Sequence, residues 1–283
     1  MVKARTSTKG QDSLGDAGRI RVGVGGWSFA PWRNRFYPKG LPHAQELSFA
    51  SRKLTAIEVN ATFYRTQSPQ SFRRWADETP DDFVFSLKAH RLATHRKSLA
   101  ECAPAIEHFV CSGIAELGGK LGPIVWQFAA FKQFDADDFE RFCEALPKAL
   151  EGRPLRHVLE VRHDSFRVAE FVALARRYAC AICLADSSDY PLIPDLTADF
   201  VYARLQQSAP DCTTGYDDMA LRLWAKRAAL WSQGKQPTDL AGLISDAAPE
   251  QRAGRDVFVY FIAGAKENNP AAAAALIERL SVA

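Results

Sequence analysis

Eight short runs of the chain, at 20–27, 56–63, 83–88, 122–128, 157–163, 179–186, 200–206 and 256–261, are apolar on both alternations and rich in β-branched and aromatic residues. Strands covered by helices on both faces have this pattern. Between the runs, apolar positions recur at helical spacing. A run opens at Ser68 as N-cap with Pro69 in the first turn and stops before Pro80. The stretch 98–120 reads as one long helix ending at Gly118-Gly119. Further helical patterns begin near Asp135, just after Asp164 or Ser165, near Asp217 and near Asn269. The link after the sixth run, SSDYPLIPDLTA, is short and broken by prolines, so a helix there is weak or missing.

Strands alternating with helices make an α/β chain, and eight strands close a parallel barrel. The expected fold is a TIM-type (β/α)8 barrel, a variant with a weak or missing sixth helix. One barrel domain spans 19–283, after a disordered tail at 1–18. The first strand runs into GVGGWSFAPW, which lacks the spacing of a dinucleotide-binding turn and leads into Trp and Pro instead of a helix. The polar stretch 235–255 reads as a surface loop with a short helical turn.

Each strand ends polar. Glu58 and Asn60 share one alternation, as do Glu160 and Arg162, and Lys88, Gln127, Asp186, Arg204 and Tyr260 close the others. Barrel active sites form at these C-terminal ends, so the set could meet at one mouth. There Glu58, Glu160 and Asp186 are the candidate acid/base groups. Arg162, Lys88 and Arg204 are candidate anion clamps, with Asn60 and Gln127 as polar contacts and Trp27, Trp32, Phe63, Tyr64 and Tyr260 as walls. The competing reading is structural: Glu58 pairs inside the barrel with Arg162 or Arg204. His163, beside Arg162, points the other way. WRNRFYP is either a basic strip or, more simply, a loop whose aromatics cover the barrel end.

Composition adds little to this picture. A formal net charge of +3 does not call for nucleic acid, which stays a weakly supported partner. Six scattered cysteines fit reduced, buried thiols in a cytoplasmic protein. Cys180 and Cys183 form a C-x-x-C, but on a strand they face opposite ways and cannot converge on a metal. His90 and His95 lack a ligand spacing, so no metal site and no cofactor is inferred. No signal sequence and no membrane span is expected, and the oligomeric state is open.

Several segments together, GVGGWSFAPWRNRFYPKGLP, AIEVNATFYRTQ, KLGPIVWQF, EVRHDSF, CLADS and DVFVYF, resemble the domain-of-unknown-function 72 (DUF72, YecE-like) family in order, over roughly residues 20–280. The resemblance implies a variant TIM-type barrel and names no reaction. Two positions depart from the family's pattern. Gln206-Gln207 stands where members often carry His-Gly after the seventh strand, and Ile262 where an Asn often follows the eighth.

Three functions fit the residues. The first is a pocket that binds or transforms a small anionic or sugar-like ligand. The second is a metal-dependent phosphodiesterase or nuclease, which needs several His and carboxylates gathered in metal geometry. The third is a non-catalytic ligand- or partner-binding protein.

Overall fold

All eight apolar runs become parallel strands in the computed structural model, which describes residues 17–244 and 254–282. They are β1 (Ile20–Gly25), β2 (Ala56–Val59), β3 (Val84–Lys88), β4 (Leu121–Gln127), β5 (His157–Glu160), β6 in two pieces (Ala181–Ile182 and Leu184–Asp186), β7 (Phe200–Leu205) and β8 (Asp256–Phe261). Pairing runs from β6 through β5, β4, β3, β2, β1, β8 and β7 back to β6. The two ends of the sheet are thus the two pieces of one strand. The first piece pairs with β5 (Leu159 opposite Ile182) and the second with β7 (Ala203 opposite Leu184). Between them Cys183 N–H donates to Leu159 O at 3.0 Å, so the ring closes.

The helices follow the strands: α1 (Glu46–Ala50), α2 (Ala61–Tyr64), α3 (Pro69–Glu78), α4 (Ala103–Val110), α5 (Ala136–Glu144), α6 (Ala169–Arg177), α7 (Asp218–Ser232) and α8 (Asn269–Val282). Ser68 Oγ accepts from Ser71 N–H and Asp135 from Asp138 N–H, so both expected N-caps form. No helix follows β6, as the prolines foretold. Thr197 holds that link to the strand instead: its hydroxyl donates to Cys180 O at 2.6 Å and accepts from Ile182 N–H at 3.1 Å.

Several boundaries differ from the sequence reading. The long helix expected over 98–120 is broken at Gly113, whose φ of +106° is left-handed; α4 ends before it and a 3-10 segment, Ile114–Lys120, follows. The second strand stops at Val59, because 61–64 coil into α2 with Asn60 at its N-cap. The fifth stops at Glu160, leaving Arg162 in a loop. The 3-10 turn Asp164–Phe166 delays α6 to Ala169. Of the expected tail, only Ala17 and Gly18 fall within the described residues, and Gly18 N–H donates to Ser232 O at 2.8 Å. The middle of the polar stretch 235–255 also lies outside them, and 235–244 carries no helix.

Two apolar layers result. The larger lies between strands and helices; the smaller fills the barrel, with Ala56, Val125, Val158, Phe200, Tyr202, Phe258 and Tyr260. Cys180 belongs to the outer layer and Cys183 to the inner, the opposite facing that strand geometry requires. Among the described residues no helix is long and apolar enough to cross a membrane.

Candidate functional site

Above the inner apolar layer, the next inward position of five strands is polar: Glu58 on β2, Lys88 on β3, Gln127 on β4, Glu160 on β5 and Arg204 on β7. Arg204 is the hub. Its Nε donates to Glu58 Oε2 at 3.0 Å, Nη2 to Glu58 Oε1 at 3.1 Å, and Nη1 to Glu160 Oε2 at 2.5 Å. Tyr202 Oη adds a bond to Glu58 at 2.8 Å. Gln127 Nε2 donates to both oxygens of Glu160, at 2.9 and 2.8 Å, and Arg162 closes on Oε1 at 3.0 Å. The three central groups are almost wholly buried: Glu58 0 %, Glu160 1 % and Arg204 2 % exposed.

Burial opposes the charge on Glu160, but Arg204, then Arg162 and Lys88, outweigh it and hold its pKa at about 2. Burial likewise opposes the Arg204 cation, and the two glutamates more than restore it. Lys88 is treated differently. Burial first and Arg204 next lower its pKa to about 8, only partly offset by Glu160 and Glu58. Its Nζ sits 3.8 Å from the centroid of the Phe63 ring. Among the described residues it has no carboxylate within ion-pair distance.

This layer floors a cavity of about 570 Å³ that opens at the C-terminal ends of the strands. Asn60, Tyr64, Lys88, Gln127, Arg162 and Arg204 line it, as the sequence placed them. A Cβ at Gly25 would lie 2.8 Å from Asn60 Nδ2 and from Ile262 Cδ1, so glycine is what lets the rim draw in here. Glu58 and Glu160 lie beneath the lining, occupied by Arg204. Thus the structural reading of Glu58 holds with Arg204 as its partner.

Three other candidates sit elsewhere. Tyr260 is fully buried in the inner apolar layer, sharing a 2.8 Å hydrogen bond with Ser86; the barrel's stagger makes Ile262 the mouth residue of that strand. Trp27 packs edge-on against Trp75, on the outer layer, with ring centroids 5.0 Å apart. Asp186 is apart from the cluster and takes bonds from Tyr216 Oη at 3.0 Å and Gln207 Nε2 at 2.6 Å. His163 caps the next turn by accepting from Ser165 N–H, and Trp32, fully buried, donates to Lys266 O at 2.8 Å. The WRNRFYP loop packs its aromatics inward, and Arg33 is tied to Glu46 at 3.1 Å.

The lining also includes residues outside the expected ligand-binding set, among them His95, Gln206, Ile262 and Lys266. His95 meets the Phe63 ring edge-on at 5.1 Å and is shifted toward neutral by burial, then by Lys88 and Arg162. Gln206 Nε2 is buried with no hydrogen-bond partner. Lys266 Nζ lies over Phe29 at 4.5 Å. Among the described residues no three His, Cys, Asp or Glu side chains converge in a way that could hold a metal.

The profile of the family described as "Protein of unknown function DUF72" matches residues 21–283. The chain belongs to the DUF72 family. It is similar to the UPF0759 protein YecE of Escherichia coli (strain K12), with 26% identity over 148 residues, 52% of this chain and 50% of that protein. It is also similar to the UPF0759 protein YunF of Bacillus subtilis (strain 168), with 29% identity over 72 residues, 25% of this chain and 24% of that protein. The chain thus spans about half, or less, of the length of the curated relatives it matches. Among solved structures, a DUF72 family protein from Thermotoga maritima MSB8 superposes with a TM-score of 0.70 at 20% identity, covering 94% of this chain and all of that one. A xylose isomerase-like TIM barrel/4-hydroxyphenylpyruvate dioxygenase fusion protein reaches 0.51 at 15% identity, over 94% of this chain and 44% of that one. These likenesses establish the DUF72 barrel and leave its chemistry to the residues of the mouth.

Proposed function

We propose that the barrel mouth binds a small anionic ligand, with Lys88 and Arg162 taking its acid group and the Gln206 amide an oxygen acceptor. The observation that carries this reading is the Lys88 amine, which faces the cavity with no carboxylate partner among the described residues. Gln206 lines the same cavity, and among the described residues its buried amide nitrogen has no acceptor. A buried donor without a partner costs free energy that a ligand oxygen recovers. Charge points the same way. Arg162, Lys88, Arg204 and Lys266 outnumber Glu58 and Glu160 in and beneath the lining. The two glutamates act as positioning residues for the guanidinium groups: Glu58 is bonded to Arg204 through both oxygens, and Glu160, held at about 2, is neither a neutral-pH acid nor a strong base. That commitment to Arg204 also speaks against a metal-dependent phosphodiesterase, which needs free carboxylates. A neutral sugar would leave the cationic excess uncompensated.

The test is thermal unfolding with phosphate, sulfate, sugar acids and neutral sugars. An anion at about 100 times its Kd adds roughly 2.7 kcal/mol. Anions are expected to raise the melting temperature, neutral sugars not. Arg162→Ala is expected to stay folded, because Glu160 keeps Arg204 and Gln127, and to lose most of the anion response. An equal response in this variant would overturn the reading.

A further inference from the structure

Anion binding leaves one property of the mouth unused. Lys88 ends β3 with its side chain only 7 % exposed, its amine set over Phe63 and facing the cavity. The two acids that could have neutralised it are both claimed by Arg204. By contrast, the similarly buried Lys132 is paired with Asp138. An amine that is desolvated, close to guanidinium groups and without a counter-ion is the arrangement that activates lysine as a nucleophile.

We propose that Lys88 forms an imine with the carbonyl carbon of a small anionic oxo compound, such as a 2-oxo acid or a phosphorylated aldehyde or ketone, whose acid group Arg162 holds. The inference rests on the anion-binding reading. The neutral amine's lone pair attacks the carbonyl carbon and a C–N bond forms. The carbonyl π pair moves to oxygen, which takes up the proton that nitrogen sheds. The resulting carbinolamine loses its hydroxyl as water, together with the second nitrogen proton, and a C=N bond remains. No oxidant or reductant is needed. His95 lines the same cavity and is shifted toward its neutral form, so it is placed to relay these protons. With its pKa lowered to about 8, a usable fraction of Lys88 is unprotonated near neutral pH. Arg162 therefore serves twice, holding the anion and, with Arg204, discouraging the ammonium.

The whole protein is treated with glyoxylate and cyanoborohydride across roughly pH 6–10, and the modified lysines are mapped by peptide mass spectrometry. Lys88 is expected to be carboxymethylated about tenfold faster than the exposed Lys39 and Lys53. Its rate should rise with a midpoint at about pH 8, and inorganic phosphate should slow it. Lys88→Arg, verified as folded by circular dichroism, should lose this fast phase alone. Modification of Lys88 no faster than Lys39 and Lys53 overturns the proposal. If phosphate still raises the melting temperature in that case, the nucleophile fails and the anion site stands. Selective trapping at Lys88 that phosphate does not slow keeps the nucleophile and removes the anion site.

Discussion

Lys88 and Glu160 sit in one polar layer, and the fold treats their charges in opposite ways. The fold lowers the Lys88 pKa from 10.5 to about 8, so the ammonium is disfavoured in the native state. That penalty is full below about pH 8 and is relieved as pH rises from there towards 10.5. At ~1.4 kcal/mol per pKa unit it is on the order of 3 kcal/mol. Lys88→Met keeps the stem over Phe63 and removes the charge. It is expected to raise stability by up to about 3 kcal/mol at neutral pH in urea unfolding, and by less at pH 10. A purely structural lysine would show the reverse. Glu160 is lowered from 4.5 to about 2, so its ion pairs stabilise fully above pH 4.5 and are lost as pH falls through 2. Glu160→Gln leaves Arg204 and Arg162 short of a counter-charge and should cost about 3–5 kcal/mol at neutral pH. It should also flatten the acid-side loss of stability between pH 4.5 and 2, which a pH series of unfolding midpoints measures.

The strands and helices were legible because their apolar periods are long and their caps specific, as at Ser68 and Asp135. Their ends were not. Asn60 and Arg162 continue the alternation of their strands in sequence, yet a helical turn and a loop claim them, a local choice that apolar spacing does not encode. At the mouth the same limit applies. Lys88, Gln127 and Arg204 reach the cavity because alternation held up to the strand end, whereas Glu160, on the same inward register, lies beneath it under Arg204. Tyr260 was read one layer too high because the shear between neighbouring strands is invisible in the sequence. Asp186 was drawn aside by Tyr216 and Gln207, which come from the segment after β7. The helix-less link after β6 carries its own test. Thr197 satisfies a strand donor and a strand acceptor at once. Thr197→Val should therefore cost about 1–3 kcal/mol, read as a lower urea midpoint with an unchanged slope. No change would show that water replaces the hydroxyl.

At the scale of the whole molecule, the ring of strands has no open edge and each apolar layer runs around it. We expect residues 19–283 to unfold as one domain, with near-ultraviolet signals from the buried tryptophans and far-ultraviolet signals from the helices changing at the same temperature. Two separated transitions would point to an independently folding part. The inner layer has one more effect. Tyr202, Tyr260 and Phe258 close the barrel directly below the polar floor, so the cavity has no passage through the barrel and its doorway lies at the C-terminal ends of the strands. A reaction at Lys88 would then be limited by traffic at that doorway: a spent molecule blocks the next one, product inhibition is competitive with the substrate, and a second reactant can approach only after the first is seated.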